Sequence, residues 1–347
     1  MQVHMEQTDI LVVGAGPGGL ACATALARQG KKVILLERKS TLGPKVCAGG
    51  ITWHGLIKLV PRQLIEGAFP AQIIRSGRQS IRLEEKNPIV ATVSRAELGQ
   101  WMAGQAREAG VRILPHTKFK GAGEGRALLE SKRGEQTIGY RYLVGADGSN
   151  SRVRRTLGLP VERIGLGLNA MVPRVYPEME WHLCPRLFGS GYGWIFPHAH
   201  QTSVGAYADA RLFSGGELKR RLLRWCTENR IVLPENEIRA GLVNYDFRGV
   251  RFGSTFLVGD AAGLASGLTG EGIYPALVSG QAVAKLILDP EYPGQELRQL
   301  ARNHCKHSTM VGFATRYLGI GSVLMEILLL MLRFRLLDFH ALEMSDI

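Results

Sequence analysis

The sequence predicts an α/β fold: a βαβ unit on parallel strands, an antiparallel sheet inserted into it, and a helical region at the C-terminal end. The first observation is a continuous apolar strand at 9–13, followed by a glycine-rich turn. The second is a stretch at 165–208 where glycines break short aromatic segments, as is typical of antiparallel strands. The third is the return of strand, glycine-rich loop and helix at 255–287. The parallel unit is therefore expected to be discontinuous.

The elements between these landmarks follow from the same periodicity. An alanine-rich helix is predicted at 20–29 and a second apolar strand at 32–37. Further along the chain, the pattern predicts a helix around 95–108, a strand near 111–115 and a strand at 140–145.

Composition indicates a globular protein with an anionic partner. The 347 residues are 45% hydrophobic and 21% charged, which is enough for a substantial core. The 43 basic side chains outnumber the 30 acidic ones, and the formal charge of +13 suits a dinucleotide, an acidic lipid surface or a phosphorylated substrate. The basic residues are scattered, without zinc-finger spacing or a basic helix. We therefore expect no nucleic-acid partner.

Cysteine usage and the two ends of the chain indicate the compartment. The five cysteines form no CxxC pair, so neither a metal site nor a disulfide framework is expected. The N-terminus has no apolar signal-peptide core, which predicts a cytoplasmic protein. Near the other end, 317–332 is almost wholly apolar and is flanked by Arg316, Arg333 and Arg335. A bilayer span needs about 20 such residues, so we predict a helix in the core or at the inner membrane face.

The turn after the first strand is typical of a dinucleotide site. Gly14, Gly16 and Gly19 form a GxGxxG pattern that allows a tight turn, backbone approach to a pyrophosphate and close helix packing. The helix N-terminus then faces the phosphates. Glu37 ends the second strand, where its carboxylate can accept hydrogen bonds from both ribose hydroxyls. This order predicts a Rossmann-like unit but does not distinguish FAD from NAD.

Two later motifs favour FAD. GADGSNSRVR at 145–154 and VGDAAG at 258–263 resemble motifs of the flavoprotein family that contains para-hydroxybenzoate hydroxylase, squalene epoxidase, flavin-dependent halogenases and the geranylgeranyl reductases. With the first turn, all three motifs stand in the family's order. The resemblance implies that Asp147 lies in the segment closing the dinucleotide domain, and that Asp260 binds the ribityl chain of FAD.

The same resemblance implies further contacts to the flavin. Arg95 stands at the head of a helix that reaches the flavin in this family. Gly272 and Ile273 match backbone contacts to the isoalloxazine, and the SGLTGEG segment at 266–272 resembles the loop that shapes its pyrimidine side.

Two local signatures resemble the geranylgeranyl reductases within this family. KVCAGG at 45–50 looks like their cysteine-and-glycine loop, and YGWIFP at 192–197 fits their YxWxFP signature. The residues implied by these signatures are Cys47, Ala48 and Gly50 at the flavin, and Tyr192 and Trp194 along a lipid pocket. Lys45 is a nearby cation that would favour the Cys47 thiolate.

The resemblance implies reduction of carbon-carbon double bonds in a prenyl or other isoprenoid, lipid-like substrate. Such a chain offers no hydrogen-bonding groups, so its pocket needs apolar, aromatic walls. Cys47, Tyr192 and His54 are the candidate proton sources. No second GxGxxG lies between a strand and a helix, so the electrons are expected from an external donor, either a nicotinamide nucleotide or a ferredoxin.

Two other functions remain open. A monooxygenase or halogenase of the same superfamily would activate oxygen, but the halogenase signature WxWxIP is altered here at Tyr192 and Phe196. A non-catalytic lipid-binding flavoprotein would be expected to have lost Glu37, Asp260 or a turn glycine, and all of these are present.

The motifs and elements together predict a division of the chain. The predicted parts are an FAD-binding domain at 1–75, 96–160 and 251–290, substrate-sheet strands at 76–95 and 161–250, and a C-terminal helical region at 291–347.

Overall fold

The computed structural model describes residues 5–56 and 59–345, so the two ends of the predicted division lie outside the described residues. The strands are β1 Glu6–Val13, β2 Val33–Leu36, β3 Gly50–Thr52, β4 Ile65–Phe69, β5 Ala71–Arg75, β6 Ser80–Glu84, β7 Val90–Val93, β8 Arg112–Leu114, β9 Lys118–Gly123, β10 Arg126–Ser131, β11 Gly134–Gly145, β12 Ile164–Val172, β13 Met179–His182, β14 Tyr192–Pro197, β15 Thr202–Asp209, β16 Arg239–Asn244, β17 Arg251–Phe252 and β18 Thr255–Leu257. The helices are α1 Pro17–Ala27, α2 Trp53–Leu56, α3 Arg95–Glu108, α4 Arg152–Thr156, α5 Pro185–Phe188, α6 Gly215–Glu228, α7 Gly259–Ala262, α8 Ile273–Leu288, α9 Gln295–Arg316 and α10 Leu318–Arg333.

The first sheet has the strand order β17-β18-β11-β1-β2-β8, and β18, β11, β1, β2 and β8 run parallel. Its central strands read as continuous apolar runs because both faces are covered; every residue of β2 is buried. The predicted strand at 140–145 is only the end of β11, whose earlier residues pair antiparallel with β10. The predicted α/β class, with parallel and antiparallel sheets, is confirmed.

Helices α1 and α8 cross closely on one face of the first sheet. A Cβ atom at Gly280 would lie 2.3 Å from the carbonyl oxygen of Gly18, so only glycine permits this crossing. Helix α1 begins at Pro17, earlier than predicted, because proline is well tolerated in a first turn where its missing N–H leaves no bond unmade. The crossing holds the glycine-rich turn at the carboxyl end of β1.

The second sheet has the strand order β16-β12-β15-β14-β13-β5-β6 and is antiparallel apart from the β13–β5 pair. Alternation along β14 divides its side chains between two faces. Ile195 packs toward α6 with Leu222, whereas Trp194 and Phe196 face a separate aromatic cluster. Strands of this sheet begin at Ala71, before the predicted boundary at 76, while β7 pairs with β3 and β4 in a third, small sheet.

The C-terminal part is helical, with α9 followed directly by α10. Helix α10 packs Leu329 and Leu332 against Ile74 and Ile81 of the second sheet. Its other face leaves apolar side chains in solvent, so the core-helix prediction for 317–332 holds for one face only. Within the described residues, the helices are too short or too polar to cross a bilayer.

Candidate active site

A cavity of about 860 Å³ lies between the carboxyl ends of the first-sheet strands and the aromatic face of the second sheet. It brings together nearly every predicted site residue: Gly14, Gly16, Glu37, Cys47, Ala48, Gly50, Arg95, Asp147, Tyr192, Trp194, Asp260, Gly272 and Ile273. Gly19 lies behind the turn instead, where a Cβ atom would come within 2.0 Å of the Gly14 carbonyl oxygen. His54 is exposed and does not line the cavity, which removes it from the candidate proton sources.

The GxGxxG turn forms one end of the cavity. Gly14 adopts φ +106°, and a Cβ atom there would lie 2.4 Å from the Ala146 carbonyl oxygen. At Gly16 a Cβ atom would have only that same oxygen near it, at 3.9 Å, so it would project into open space. Glu37 accepts hydrogen bonds from the Ala15 N–H and the Lys39 N–H, both at 2.9 Å. The turn thus offers an open backbone surface beside a fixed carboxylate.

The Asp147 side chain forms hydrogen bonds within its own turn. Its carboxylate accepts hydrogen bonds from the Ser151 hydroxyl, the Arg152 N–H at 2.6 Å and the Val153 N–H at 3.3 Å. Burial raises the pKa of Asp147, while these bonds act against that rise. The geometry therefore gives Asp147 the role of capping α4 at the cavity wall.

Asp260 is buried at the start of α7. Its Oδ2 accepts hydrogen bonds from Lys45 Nζ at 2.9 Å and from the Ser149 hydroxyl at 3.0 Å, and neither bond uses Oδ1. Lys45 was predicted to act on Cys47, but its ion pair is with Asp260. The aspartate is held in place by two motif segments, and one oxygen is left for a ligand.

Arg95 provides the test of whether an anionic cofactor fits. Its Nε and Nη1 atoms are buried, and among the described residues neither has a hydrogen-bond partner. The Ser94 hydroxyl caps α3 by accepting from the Glu97 N–H at 3.3 Å, which fixes Arg95 at the helix start. Leaving a buried guanidinium unpaired is costly. A ligand with acceptor atoms beside α3, such as FAD, satisfies it.

The opposite end of the cavity is aromatic. Trp181, Tyr192, Trp194, Phe196 and Tyr207 line it, with ring centroids of neighbouring pairs 4.7–6.2 Å apart. Their polar atoms are already satisfied: the Tyr192 hydroxyl donates to the Thr269 carbonyl oxygen, and Trp194 Nε1 donates to Ser203 Oγ at 2.9 Å. Burial raises the pKa of Tyr192, which weakens it as a proton donor. This end therefore presents apolar ring surface.

The Cys47 loop joins the two ends. Cys47 is half-buried, and its Sγ accepts a hydrogen bond from the Gly49 N–H at 3.4 Å. The Asn169 amide donates to the Cys47 carbonyl oxygen at 3.4 Å, and His198 Nε2 lies 2.9 Å from the Ala48 carbonyl oxygen. Both anchors come from the second sheet or the residue after β14. The loop is thereby tied to the aromatic wall.

Glu271 is a cavity residue that sequence reasoning passed over. Its carboxylate accepts from the Thr52 hydroxyl at 3.3 Å and from the Met344 N–H at 3.2 Å. Burial, reinforced by the nearby Glu343 carboxylate, raises the pKa of Glu271 to about 7. The signal was the single acid in the SGLTGEG loop. The Met344 contact comes from the segment 338–345, which places Phe339 and Glu343 in the cavity wall.

The fold and this cavity define an FAD-dependent oxidoreductase, and comparison with known proteins agrees. The sequence matches the family described as FAD binding domain over residues 7–176. It is 31% identical to digeranylgeranylglycerophospholipid reductase 2 of Methanosphaera stadtmanae, over 90% of this chain and 88% of that protein. The chain therefore belongs to the geranylgeranyl reductase family.

Two further proteins extend the comparison. A geranylgeranyl diphosphate reductase of Rhodobacter capsulatus is 28% identical over 80% of this chain and 74% of its own length. The crystal structure of a geranylgeranyl bacteriochlorophyll reductase-like protein from Thermoplasma acidophilum superposes with a TM-score of 0.73 at 24% identity, covering 87% of this chain and 83% of that one. The structural likeness supports the fold.

Proposed function

We propose that this protein reduces carbon-carbon double bonds in the prenyl chain of an isoprenoid lipid. The observation that carries the proposal is the cavity itself, in which a dinucleotide-type end opens onto a wall of aromatic rings whose polar atoms are already bonded. An apolar chain gains affinity from such a wall by burying its surface. Relatives at about 30% identity carry the names of lipid and diphosphate reductases of this kind.

In this proposal each motif has a part in holding FAD. Gly14 and Gly16 let the backbone approach the pyrophosphate, and Glu37 accepts from the ribose hydroxyls. Asp260 binds the ribityl chain through its free oxygen, and Arg95 donates to an acceptor on the flavin side. The backbone at Gly272 and Ile273 and the loop at Cys47, Ala48 and Gly50 bound the isoalloxazine.

When bound, FAD in its reduced form supplies a hydride to one alkene carbon, and a proton must reach the other. Two groups that line the cavity are the candidates to supply this proton: the Cys47 thiol and the Glu271 carboxyl, whose pKa is raised by burial to about 7. The aromatic rings position the chain and keep water away, as an unactivated double bond requires. The electrons come from an external donor, a nicotinamide nucleotide or a ferredoxin.

The proposal also assigns the sheets. The first sheet forms the FAD-binding domain, for which the sequence predicted residues 1–75, 96–160 and 251–290; its first boundary moves from 75 to 70, because β5 belongs to the second sheet. The second sheet forms the substrate domain, entered by the chain at Ala71 and again at Ile164. Of the predicted C-terminal region at 291–347, the described residues 291–345 form the helical region beside them.

The test is anaerobic. The FAD-loaded protein is reduced with dithionite and mixed with geranylgeranyl diphosphate or a digeranylgeranylglycerol phospholipid while the flavin absorbance is followed. We expect the flavin to be reoxidised, with a mass gain of two hydrogens for each double bond reduced. Squalane, which has no double bond, is the matched control and should leave the flavin reduced.

The opposite pattern would overturn the proposal. A flavin indifferent to both lipids that forms a transient oxygen adduct on mixing with air would identify a monooxygenase. A flavin that neither lipid nor oxygen oxidises, in a protein that still binds the lipid, would identify a non-catalytic carrier.

A further inference from the structure

A second, smaller cavity lies outside the site described above. It has a volume of about 380 Å³ and opens to solvent between the last turns of α9 and the ends of β12 and β15. We call it the basic pocket, and its lining includes Arg163, Arg211, Tyr245, Ser308, Arg316 and Tyr317. Its size falls within the range of small-ligand sites, about 300–1,000 Å³.

The basic pocket carries excess positive charge. Arg211 is paired with Asp209, whose side chain is 1% exposed and which also accepts from the Tyr245 hydroxyl at 2.6 Å. Among the described residues, Arg163 and Arg316 have no ion pair. Three guanidinium groups against one carboxylate leave a net charge of +2. The pocket therefore has two arginines available to a ligand.

The electrostatic neighbourhood agrees with this count. Burial lowers the pKa of His304, and the charge of Arg163 lowers it further. Burial likewise lowers the pKa of His307 to about 4, so neither histidine adds a charge at neutral pH. Asp209 stays ionised, because hydrogen bonds from Arg211 and Tyr245 outweigh its burial and lower its pKa.

Exposed apolar side chains continue directly from the pocket. Phe313 and Tyr317 line it, are themselves exposed, and lie in contact with their rings tilted at 47° and centroids 5.1 Å apart. From Tyr317 the chain enters α10, whose exposed apolar side chains recur with helical spacing. We call this set the apolar face: Ile320, Val323, Leu324, Ile327, Leu330 and Met331. Arg333 and Arg335 lie exposed at its far end.

We propose that the basic pocket and the apolar face form one docking surface for an anionic phospholipid bilayer. The pocket binds the phosphate of a lipid headgroup, through Arg163 and Arg316 as donors. The apolar face enters the boundary between headgroups and acyl chains, with α10 lying in the membrane plane. Guanidinium groups suit a phosphate because their donors match its geometry in pairs.

Charge complementarity favours a bilayer over a second copy of this chain. In a symmetric dimer the surface would meet itself, so that Arg163, Arg316, Arg333 and Arg335 would face the same positively charged surface of the partner. Anionic headgroups compensate these charges. The apolar side chains also form a stripe along one helix, as in helices that lie at membrane interfaces, rather than a deep interlocking surface.

The experiment is sedimentation of the FAD-loaded protein with vesicles of phosphatidylglycerol or phosphatidylcholine. We expect binding to phosphatidylglycerol that weakens at high salt. Arg163→Gln with Arg316→Gln should weaken it about 25-fold, and Val323→Gln with Ile327→Gln about tenfold or more. Lys132→Gln with Arg133→Gln is the matched control: it removes two exposed charges from the β10–β11 hairpin and should bind like wild type.

Several results would overturn the proposal. The first is equal binding to both lipids, and the second is an arginine double variant that binds vesicles as well as the hairpin control does. The third is a wild-type protein that does not bind vesicles but forms a dimer, which Val323→Gln with Ile327→Gln dissociates. Binding of millimolar inorganic phosphate by a protein that does not bind vesicles would assign the pocket to a free phosphate instead. The readout is bound protein rather than turnover, so this test and that of the proposed function fail independently.

Discussion

The two ends of the main cavity are built by different means. The dinucleotide end consists of backbone and glycines, with Gly14 and Gly16 exposing the chain itself. The aromatic end consists of side chains such as Trp194, which is held by a hydrogen bond to the neighbouring strand and by packing in a cluster drawn from several strands. The dinucleotide end depends on a few glycines that have no side chain, whereas the aromatic end depends on the packing of many side chains. A single substitution should therefore abolish the first end but only modulate the second.

The largest expected effect is at Gly14. Gly14→Ala forces an L residue to φ +106° with its Cβ 2.4 Å from the Ala146 carbonyl oxygen, which should lower the free energy of unfolding by at least ~3 kcal/mol. Gly16→Ala is the matched control, since its Cβ meets no close protein atom. It should fold normally yet lose FAD, because the methyl group enters the cofactor's space. Urea unfolding and flavin content measure both, and a stable Gly14→Ala protein would contradict the comparison.

Asp260 tests the cofactor role without disturbing the turn. Asp260→Ala should yield a folded protein that binds FAD about 10- to 100-fold more weakly, since it removes a charge-assisted hydrogen bond. Flavin titration followed by fluorescence gives the constant. Full flavin occupancy in the purified variant would remove the ribityl contact from Asp260.

A variant at Cys47 tests the loop that joins the two ends of the cavity. Cys47→Ala should keep FAD and lose most turnover, whereas Cys184→Ala, a half-buried cysteine away from the cavity, should change neither. Single-turnover reoxidation of the reduced flavin by lipid is the measurement. Unchanged turnover would make Cys47 a packing residue.

Glu271 adds a pH dependence to the aromatic end. If its carboxyl delivers the proton, the reduction rate should fall as the pH rises through about 7, where the buried group ionises. Glu271→Gln should lose that descending limb. A limb of the same midpoint in the variant would exclude Glu271 as its origin.

The same shift also predicts a change in stability. The pKa of Glu271 is higher in the folded protein than in the unfolded chain. The folded protein is therefore relatively stabilised below the unfolded pKa of 4.5, and this stabilisation is lost as the pH rises through about 7. Glu271→Gln should therefore melt above wild type at pH 8 and close to it at pH 4. Calorimetry across this window checks the sign.

The smallest effect is expected at Tyr192. Tyr192→Phe keeps the ring and loses the bond to the Thr269 carbonyl oxygen, which should lower the free energy of unfolding by about 1 kcal/mol. Turnover should change only a few-fold. A loss of several hundredfold with FAD retained would instead make Tyr192 a proton donor.

Sequence reasoning brings residues together most directly where they lie close along the chain. Gly14 and Glu37 are tied to one βαβ unit, so their spacing alone predicts that they share a site. The YGWIFP signature predicted Trp194, which lies in the cavity wall, and its alternation with Ile195 follows from strand geometry. The parallel and antiparallel parts were predictable for the same reason, since periodicity records which faces a strand buries.

The rest depends on contacts that no local pattern records. Lys45 was placed beside Cys47 by proximity along the chain, but folding pairs it with Asp260, 215 residues away. Glu271 acquires its raised pKa from burial under the segment around Met344. The apolar sequence at 317–332 does not by itself show which side chains are buried and which are exposed. Only the packing of Leu329 and Leu332 shows which face is covered.

The first sheet is assembled from distant parts of the chain, and this has a consequence for the order of folding and cofactor binding. The residues of this part of the molecule that line the cavity extend from Gly14 to Ile273, and β1 reaches β18 only through β11. During synthesis the N-terminal turn therefore emerges long before the aspartate and backbone that complete its site. FAD should bind as a late step that locks an assembled sheet, because a ligand stabilises only the state that has its full site.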